Sequence, residues 1–276
     1  MTMMINTNLA SLNTQRNLSN SSGAVTQAVQ RLSSGLRVNS AKDDAAGLAI
    51  AERMNSQVKG MNVAIRNAND AISLSQTAEG ALGKVSDMMQ RMRELSVQSV
   101  NATNSTSDRA NLDAEYQQLG SEITRVLAAT NFNGVHMLGA DAGTLSFQIG
   151  AGTTSNDTID VVTTQLDTAA TITAVTGGAI TGVANSTTAI NDLDTAIGTI
   201  TTARAAYGAA QNRFETTIST LQISAENVAA SRSRIVDADY ATETAALTRG
   251  QILSQAGTAM LAQANQLPNS VLSLLR

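Results

Sequence analysis

The sequence holds one histidine, His136, and no cysteine. His136 stands in a Gly/Asn-rich stretch, and Asp141 is the only carboxylate close to it in the chain. Metal binding and acid–base catalysis need several convergent groups, so an isolated histidine reads as a structural residue. A His-Glu-x-x-His pair is absent, which excludes a zinc-peptidase insert. Asp43 and Asp44 are the one adjacent carboxylate pair that invites an acid–base reading. Neighbouring helix positions diverge by about 100°, so the two would not face a common substrate. They suit a turn and helix start, where acids meet the positive end of the dipole. Met54 and Met61, and the group Met88, Met89 and Met92, fall at helical spacing. At that spacing thioethers read as core filler before they read as metal ligands or a binding groove. Asn101, Asn104, Asn156 and Asn185 each open an Asn-x-Ser/Thr triplet, a pattern common by chance in Asn/Thr-rich sequence. No phosphate-binding Gly-rich loop with Lys-Ser/Thr and no Gly-x-Ser-x-Gly elbow occurs. Catalysis has no starting point here, and no enzyme activity or cofactor is expected.

The elements that position these residues explain the composition. Only 2% of the 276 residues are aromatic, with no Trp, three Phe and three Tyr. A core must therefore come from Leu, Ile, Val, Met and Ala, the residues of helix-on-helix seams. The single proline, Pro268, leaves the first 267 residues without a forced helix break. Net charge is −4, and no Lys or Arg occurs between Arg125 and Arg204. A mildly acidic, Lys/Arg-free middle argues against nucleic acid and anionic lipid as partners. No apolar run is long enough to span a membrane. The segment Met1–Asn8 lacks the basic start and apolar stretch of a cleaved signal peptide, so any export is expected to use another route.

Leu193, Ile200, Tyr207, Phe214, Leu221, Val228 and Ile235 recur every seven residues, with Ile197, Ile218 and Ala225 at the companion position. This predicts a helix about 65 Å long, which must lie along partner helices. Arg204, Gln211 and Arg232 interrupt the companion row. The N-terminal half supplies partners. Val25, Val29, Leu32 and Leu36 form one stripe, and Met54, Met61 and Ala68 with Val58, Ile65 and Ile72 form another. Leu82, Val85, Met89 and Met92 carry that second stripe on towards Val100. Asn101–Ser105 breaks the pattern. A shorter antiparallel helix then carries Leu112, Tyr116, Leu119, Ile123 and Val126, with Thr106, Ser107 or Asp108 as its cap. Leu145, Phe147 and Ile149 alternate with polar residues, as do Ile159 and Val161, which predicts a β-hairpin. Residues 163–189 are Thr/Ala/Gly-rich and are expected to form an exposed irregular excursion. Their poverty in His and Cys also argues against an enzyme housed there. Ala246, Leu253, Met260 and Leu267 repeat at seven in the last segment. Residues 1–36 and this last segment are each weak helices alone, and are expected to order only on assembly. The predicted class is mainly α: a long antiparallel coiled-coil bundle of the N- and C-terminal halves, with a small β-hairpin in the middle.

Longer stretches carry a resemblance. Ile5-Asn6-Thr7-Asn8, Ser11-Leu12-Asn13-Thr14-Gln15-Arg16-Asn17-Leu18, the run Arg31–Gly47, and Asn67-Ala68-Asn69-Asp70-Ala71-Ile72-Ser73 resemble the N-terminal signature of bacterial flagellins. Ala264-Asn265-Gln266-Leu267-Pro268 and Val271-Leu272-Ser273-Leu274-Leu275-Arg276 resemble that family's ending. The resemblance covers about 1–165 and 190–276.

It implies a filament subunit of the bacterial flagellum, extracellular and used for swimming. Residues 1–42 with 236–276 would form inner-tube helices. Residues 43–165 with 190–235 would form an outer coiled-coil domain, and 166–189 a short variable excursion, making a near-minimal member. Leu32, Leu36, Ala246, Leu253, Met260 and Leu267 would line the polymerisation seam. The resemblance further implies export through the flagellar channel, with a chaperone on the C-terminal segment, and contact with hook-associated and cap proteins. It implies recognition by host Toll-like receptor 5 through Arg91, Leu95, Gln98 and Glu115; spacings of four and three place the first three on one helix face. A hook–filament junction protein, with similar terminal helices, is the alternative.

Overall fold

The computed structural model describes residues 7–273, with side chains described through residue 266. Six α-helices and one hairpin follow in order: α1 (Leu9–Ser34), α2 (Ala45–Val100), α3 (Thr106–Ala129), β1 (Thr144–Gln148), β2 (Thr158–Val162), α4 (Ala170–Thr176), α5 (Val183–Val236) and α6 (Tyr240–Ser273). The mainly α architecture with a central hairpin is the one the periodicity predicts. Contacts divide the chain into two compact units. One joins the residues up to 56 with those from 226 onward, and the other is 57–225. Both divisions fall inside continuous helices, since α2 and α5 carry no proline and no long polar break.

Unit 57–225 holds one core. Leu193, Ile200 and Phe214 are fully buried and Tyr207 nearly so, while Leu221 is half-buried. Against this row stand Leu82, Val85, Met89, Met92 and Leu95 of α2, and Tyr116, Ile123 and Leu127 of α3. Met89 and Met92 thus fill core space, as their spacing predicts, with Met88 packed against it. The two polar residues that interrupt the α5 companion row within this unit meet one carboxylate: Gln211 Nε2 donates to Glu79 Oε2 at 3.0 Å and Arg204 pairs with Glu79 at 3.8 Å. The hairpin pairs Leu145 with Val161 and Phe147 with Ile159. Phe147 meets Phe214 edge-on, with ring centroids 5.7 Å apart.

The N-cap of α3 lies one residue before the candidate caps. Ser105 is the N-cap, and Asp108 reaches back from the third position to complete a capping box. The expected exposed excursion at 163–189 is corrected. Leu166, Ile172, Val175 and Ile180 are buried, α4 forms within it, and α5 already begins at Val183. Four widely spaced apolar residues give no periodic signal, yet they close the core over α3. Tyr116 donates to Val175 O (3.0 Å), Gln117 to Gly178 O (2.6 Å), and Ile180 N–H to Asp113 Oδ1 (2.7 Å). A side chain at Gly120 would meet the Thr176 backbone at 3.2 Å, which is why α3 carries glycine where α4 crosses it.

The two buried tyrosines make opposite contributions. Tyr116 hydroxyl is bonded, whereas Tyr207 hydroxyl has no partner among the described residues. Tyr116→Phe is expected to cost about 1 kcal/mol in a urea titration, and Tyr207→Phe to be neutral or stabilising. Burial pushes both phenols up to about 12, with Asp192 and Asp113 adding to the shift at Tyr116. An unfolded tyrosine ionises near 10. The unfolded chain therefore loses its protons first, so stability stays level below about pH 10 and falls as pH rises towards 12.

Candidate functional site

In the terminal unit, α1 and α6 pack along one another. The α6 face turned inward runs Glu243, Leu247, Gly250, Ser254, Gly257, Leu261 and Ala264, an unbroken alternation of four and three whose members are buried or half-buried. Its centre is small. An added Cβ at Gly250 would stand 2.6 Å from Val25 Cγ2, and one at Gly257 3.3 Å from Leu18 Cδ1. Polar anchors fix the register at both ends. Arg31 pairs with the buried Glu243 at 2.8 Å, Asn8 Nδ2 donates to Ala264 O at 2.8 Å, and Ser11 Oγ donates to Asn265 Oδ1 at 2.8 Å. Gly35 ends α1 in the left-handed region (φ 71°), its N–H bonded to Arg31 O. The two linkers then bridge, with Arg37 N–H donating to Val236 O (2.7 Å) and Ala238 N–H to Gly35 O (2.9 Å).

The residues predicted to form one polymerisation seam fall into two groups. Leu32 and Leu36 are half-buried within the chain, and Leu36 sits in the bridge to Asp237. Ala246, Leu253 and Met260 are exposed. Each of these three lies three residues beyond an inward-facing position, so together they run along one flank of the α1–α6 contact. The side chain of Leu267 lies outside the described residues. Ile252 on α6 and Leu9, Leu12 and Val29 on α1 are also exposed. The inward face of α6 escapes sequence reading because its members are Glu, Gly, Ser and Ala as much as Leu. Its only signal is spacing, and a search for large apolar residues passes over it.

The second candidate lies in unit 57–225, on α2 and α3. Arg91 pairs with Glu115 of α3 and with Glu94, both at 3.0 Å. These hydrogen bonds, that to Glu115 foremost, raise the guanidinium pKa. Gln98 is exposed on the same helix, and its carbonyl accepts from Asn104 Nδ2 at 2.6 Å. Leu95 does not share this surface: it is buried in the core beside Met92. Of the four predicted residues, Arg91, Gln98 and Glu115 are accessible and Leu95 is not; Glu94 and the half-exposed Val97 are accessible beside them on α2.

The candidates for chemistry are structural. His136 Nδ1 lies 2.8 Å from Ala128 O at the end of α3, and the His136 backbone N–H donates to Asp141 Oδ2 at 2.9 Å. Asp43 gathers the Ser40 hydroxyl and the N–H groups of Ser40 and Asn39, and these bonds, the hydroxyl first, hold its carboxyl below the usual range. Asp44 accepts from Gly47 N–H at 2.8 Å, capping α2. The two carboxylates serve separate backbone sites.

The chain matches the bacterial flagellin N-terminal helical region over residues 5–144 and the bacterial flagellin C-terminal helical region over residues 190–275. Flagellin of Halalkalibacterium halodurans is 46% identical over 274 residues, spanning 99% of this chain and 100% of the relative. The flagellar filament 33 kDa core protein of Treponema phagedenis is 43% identical over 290 residues, spanning 99% and 100%. Among solved structures, Bacillus cereus flagellin aligns with TM-score 0.50 and 34% identity over 56% of this chain and 88% of that one. A flagellar hook-associated protein from Vibrio parahaemolyticus aligns with TM-score 0.58 over 71% of this chain and 100% of its own, at 14% identity, a likeness of fold alone. Two family regions that together cover most of the chain, and end-to-end identity well above the level of shared fold, establish that this chain belongs to the bacterial flagellin family.

Proposed function

We propose that copies of this chain associate head-to-tail, through the terminal unit, into the open helical polymer of a flagellar filament that serves swimming. A flagellin is a structural subunit rather than an enzyme. The observation that carries this reading is the uncovered apolar flank of α6, Leu253 and Met260 with Ile252, beside a contact with α1 that is narrow and lined by small residues. Heterologous contacts of this kind leave a new copy of the same surface at each added subunit, and so propagate. Export through the flagellar channel without a cleaved signal, a chaperone on the C-terminal segment, and hook-associated and cap proteins at the polymer's ends belong to the same proposal, as does ordering of the terminal helices on assembly. The junction-protein alternative would share similar terminal helices, but the Vibrio parahaemolyticus hook-associated protein is 14% identical, against 46% for a flagellin.

The test is truncation. A chain ending at residue 235 should keep a cooperative melt for 57–225 and form no filaments under the electron microscope. Long tubes from that chain would refute the role of α6.

Recognition by Toll-like receptor 5 rests on the exposed Arg91, Gln98 and Glu115. Interface arginines that are desolvated on binding commonly cost a factor of about ten or more when truncated. Arg91→Ala should therefore weaken activation of receptor-bearing cells by about that factor at unchanged thermal stability, since exposed ion pairs add little to folding. Wild-type potency in Arg91→Ala would remove this strip from the receptor interface.

A further inference from the structure

We propose that Met260 is an oxidation site that governs assembly: a hydroperoxide converts its thioether to the sulfoxide in the free subunit, and the sulfoxide blocks addition to the polymer. This rests on the reading of the α6 flank given above. Met260 is 61% exposed, whereas Met61, Met89, Met92 and Met137 are buried and Met54 and Met88 half-buried. The sulfur lone pair attacks the terminal peroxide oxygen; the S–O bond forms as the O–O bond breaks. Sulfur loses two electrons, and the departing oxygen takes a proton and leaves as water when the oxidant is hydrogen peroxide. A buried thioether cannot present its lone pair to the oxidant, so exposure selects Met260 among the described methionines.

The product changes the flank and leaves the fold alone. The inward contact with α1 is made by Gly257, Leu261 and Ala264, and Met260 stands outside it. A sulfoxide is a strong acceptor. Placed in a row with Ala246 and Leu253, it must lose its water when a second copy covers that row, with no donor side chain in the row to replace it. Within the filament the same sulfur is shielded, so oxidation acts on subunits and spares the polymer.

The experiment treats full-length subunits and preformed filaments with hydrogen peroxide. Peptide mass spectrometry reads each methionine, separating Met260 from Met1, Met3 and Met4. In subunits, Met260 should oxidise ahead of the six buried and half-buried methionines. The critical concentration should rise about tenfold, the equivalent of about 1.4 kcal/mol. The critical concentration of Met260→Leu, a substitution that conserves volume, should be the same with and without peroxide. Enzymatic reduction of the sulfoxide should restore assembly of the wild type. Oxidised wild type that assembles as well as untreated protein would overturn the proposal. Equal loss in Met260→Leu, or impairment that survives reduction, would do the same. Oxidation of Met260 at the same rate in filaments as in subunits would instead show the flank uncovered, and would sink the assembly reading beneath it.

Discussion

The Gly250→Leu variant is expected to separate α6 from α1 and to form no filaments. The first added carbon would stand 2.6 Å from Val25 Cγ2, with the Val25 backbone nitrogen at 3.7 Å and Ser21 O at 3.8 Å. Val25 is β-branched and stiff at χ1, so it cannot swing aside as a long side chain would. The helices must move apart instead, and overpacking of this kind typically costs about 1–3 kcal/mol. The α1–α6 contact has little else to offset that loss, because its inward rows are rich in Ser, Gly and Ala and bury little apolar area. Separation would also stretch the Arg31–Glu243 pair, leaving a carboxylate without its partner in a buried place. Gly257→Ala is the control. Its Cβ would meet Leu18 Cδ1 at 3.3 Å, the end of a flexible side chain, and alanine gains about 1 kcal/mol of helix propensity over glycine. Hydrogen exchange over 9–34 after seeding, when the terminal helices order, reads the effect, and sedimentation of the same samples reads assembly. Wild-type protection in Gly250→Leu would mean that the helices tolerate a wider spacing, and that the glycine is not what sets it.

Legibility in the sequence follows the large side chains. The α5 row from Leu193 to Phe214 can be read from spacing because burial against α2 and α3 needs big apolar residues at each turn. The hairpin is legible for the same reason, at a period of two. Where packing is achieved by smallness, the pattern disappears. Gly250, Ser11 and Ala28 are buried where the chain packs closely, but nothing in a hydropathy count marks them. The 166–180 segment is hidden for a different reason. Leu166, Ile172, Val175 and Ile180 are each fully buried, yet they are spaced by turns and a two-turn helix, so no single period runs through them. Helical spacing puts Leu95 on the charged strip because it gives a direction only to within tens of degrees. The structure turns that direction just inside the core, while Arg91 and Gln98 stay outside.

Phe214→Ala is expected to produce the largest loss of stability of any single truncation in 57–225. Phe214 is fully buried, belongs to the α5 row, and meets Phe147 edge-on across from the hairpin. Removing a buried phenylalanine ring typically costs about 3–5 kcal/mol, from lost transfer energy and from the cavity that remains. Collapse around the gap is limited here. The chain has only three phenylalanines and no tryptophan, and the neighbours that could fill the space are held on long, continuous helices. Loss of the edge contact also removes an anchor of the hairpin, leaving Asn67 Nδ2 to Gln148 O, at 2.9 Å, among its remaining ties to α2. The variant should therefore show early hydrogen exchange in Thr144–Val162 before the global transition, and a sharply lowered urea midpoint. Phe147→Ala should expose the same segment to exchange at a smaller global cost, because Phe147 is only half-buried. If Phe214→Ala instead melts as the wild type does, with the hairpin still protected, the core of this unit is not centred on the α5 row. The continuous seven-residue repeat would then owe its regularity to contacts made only in the polymer.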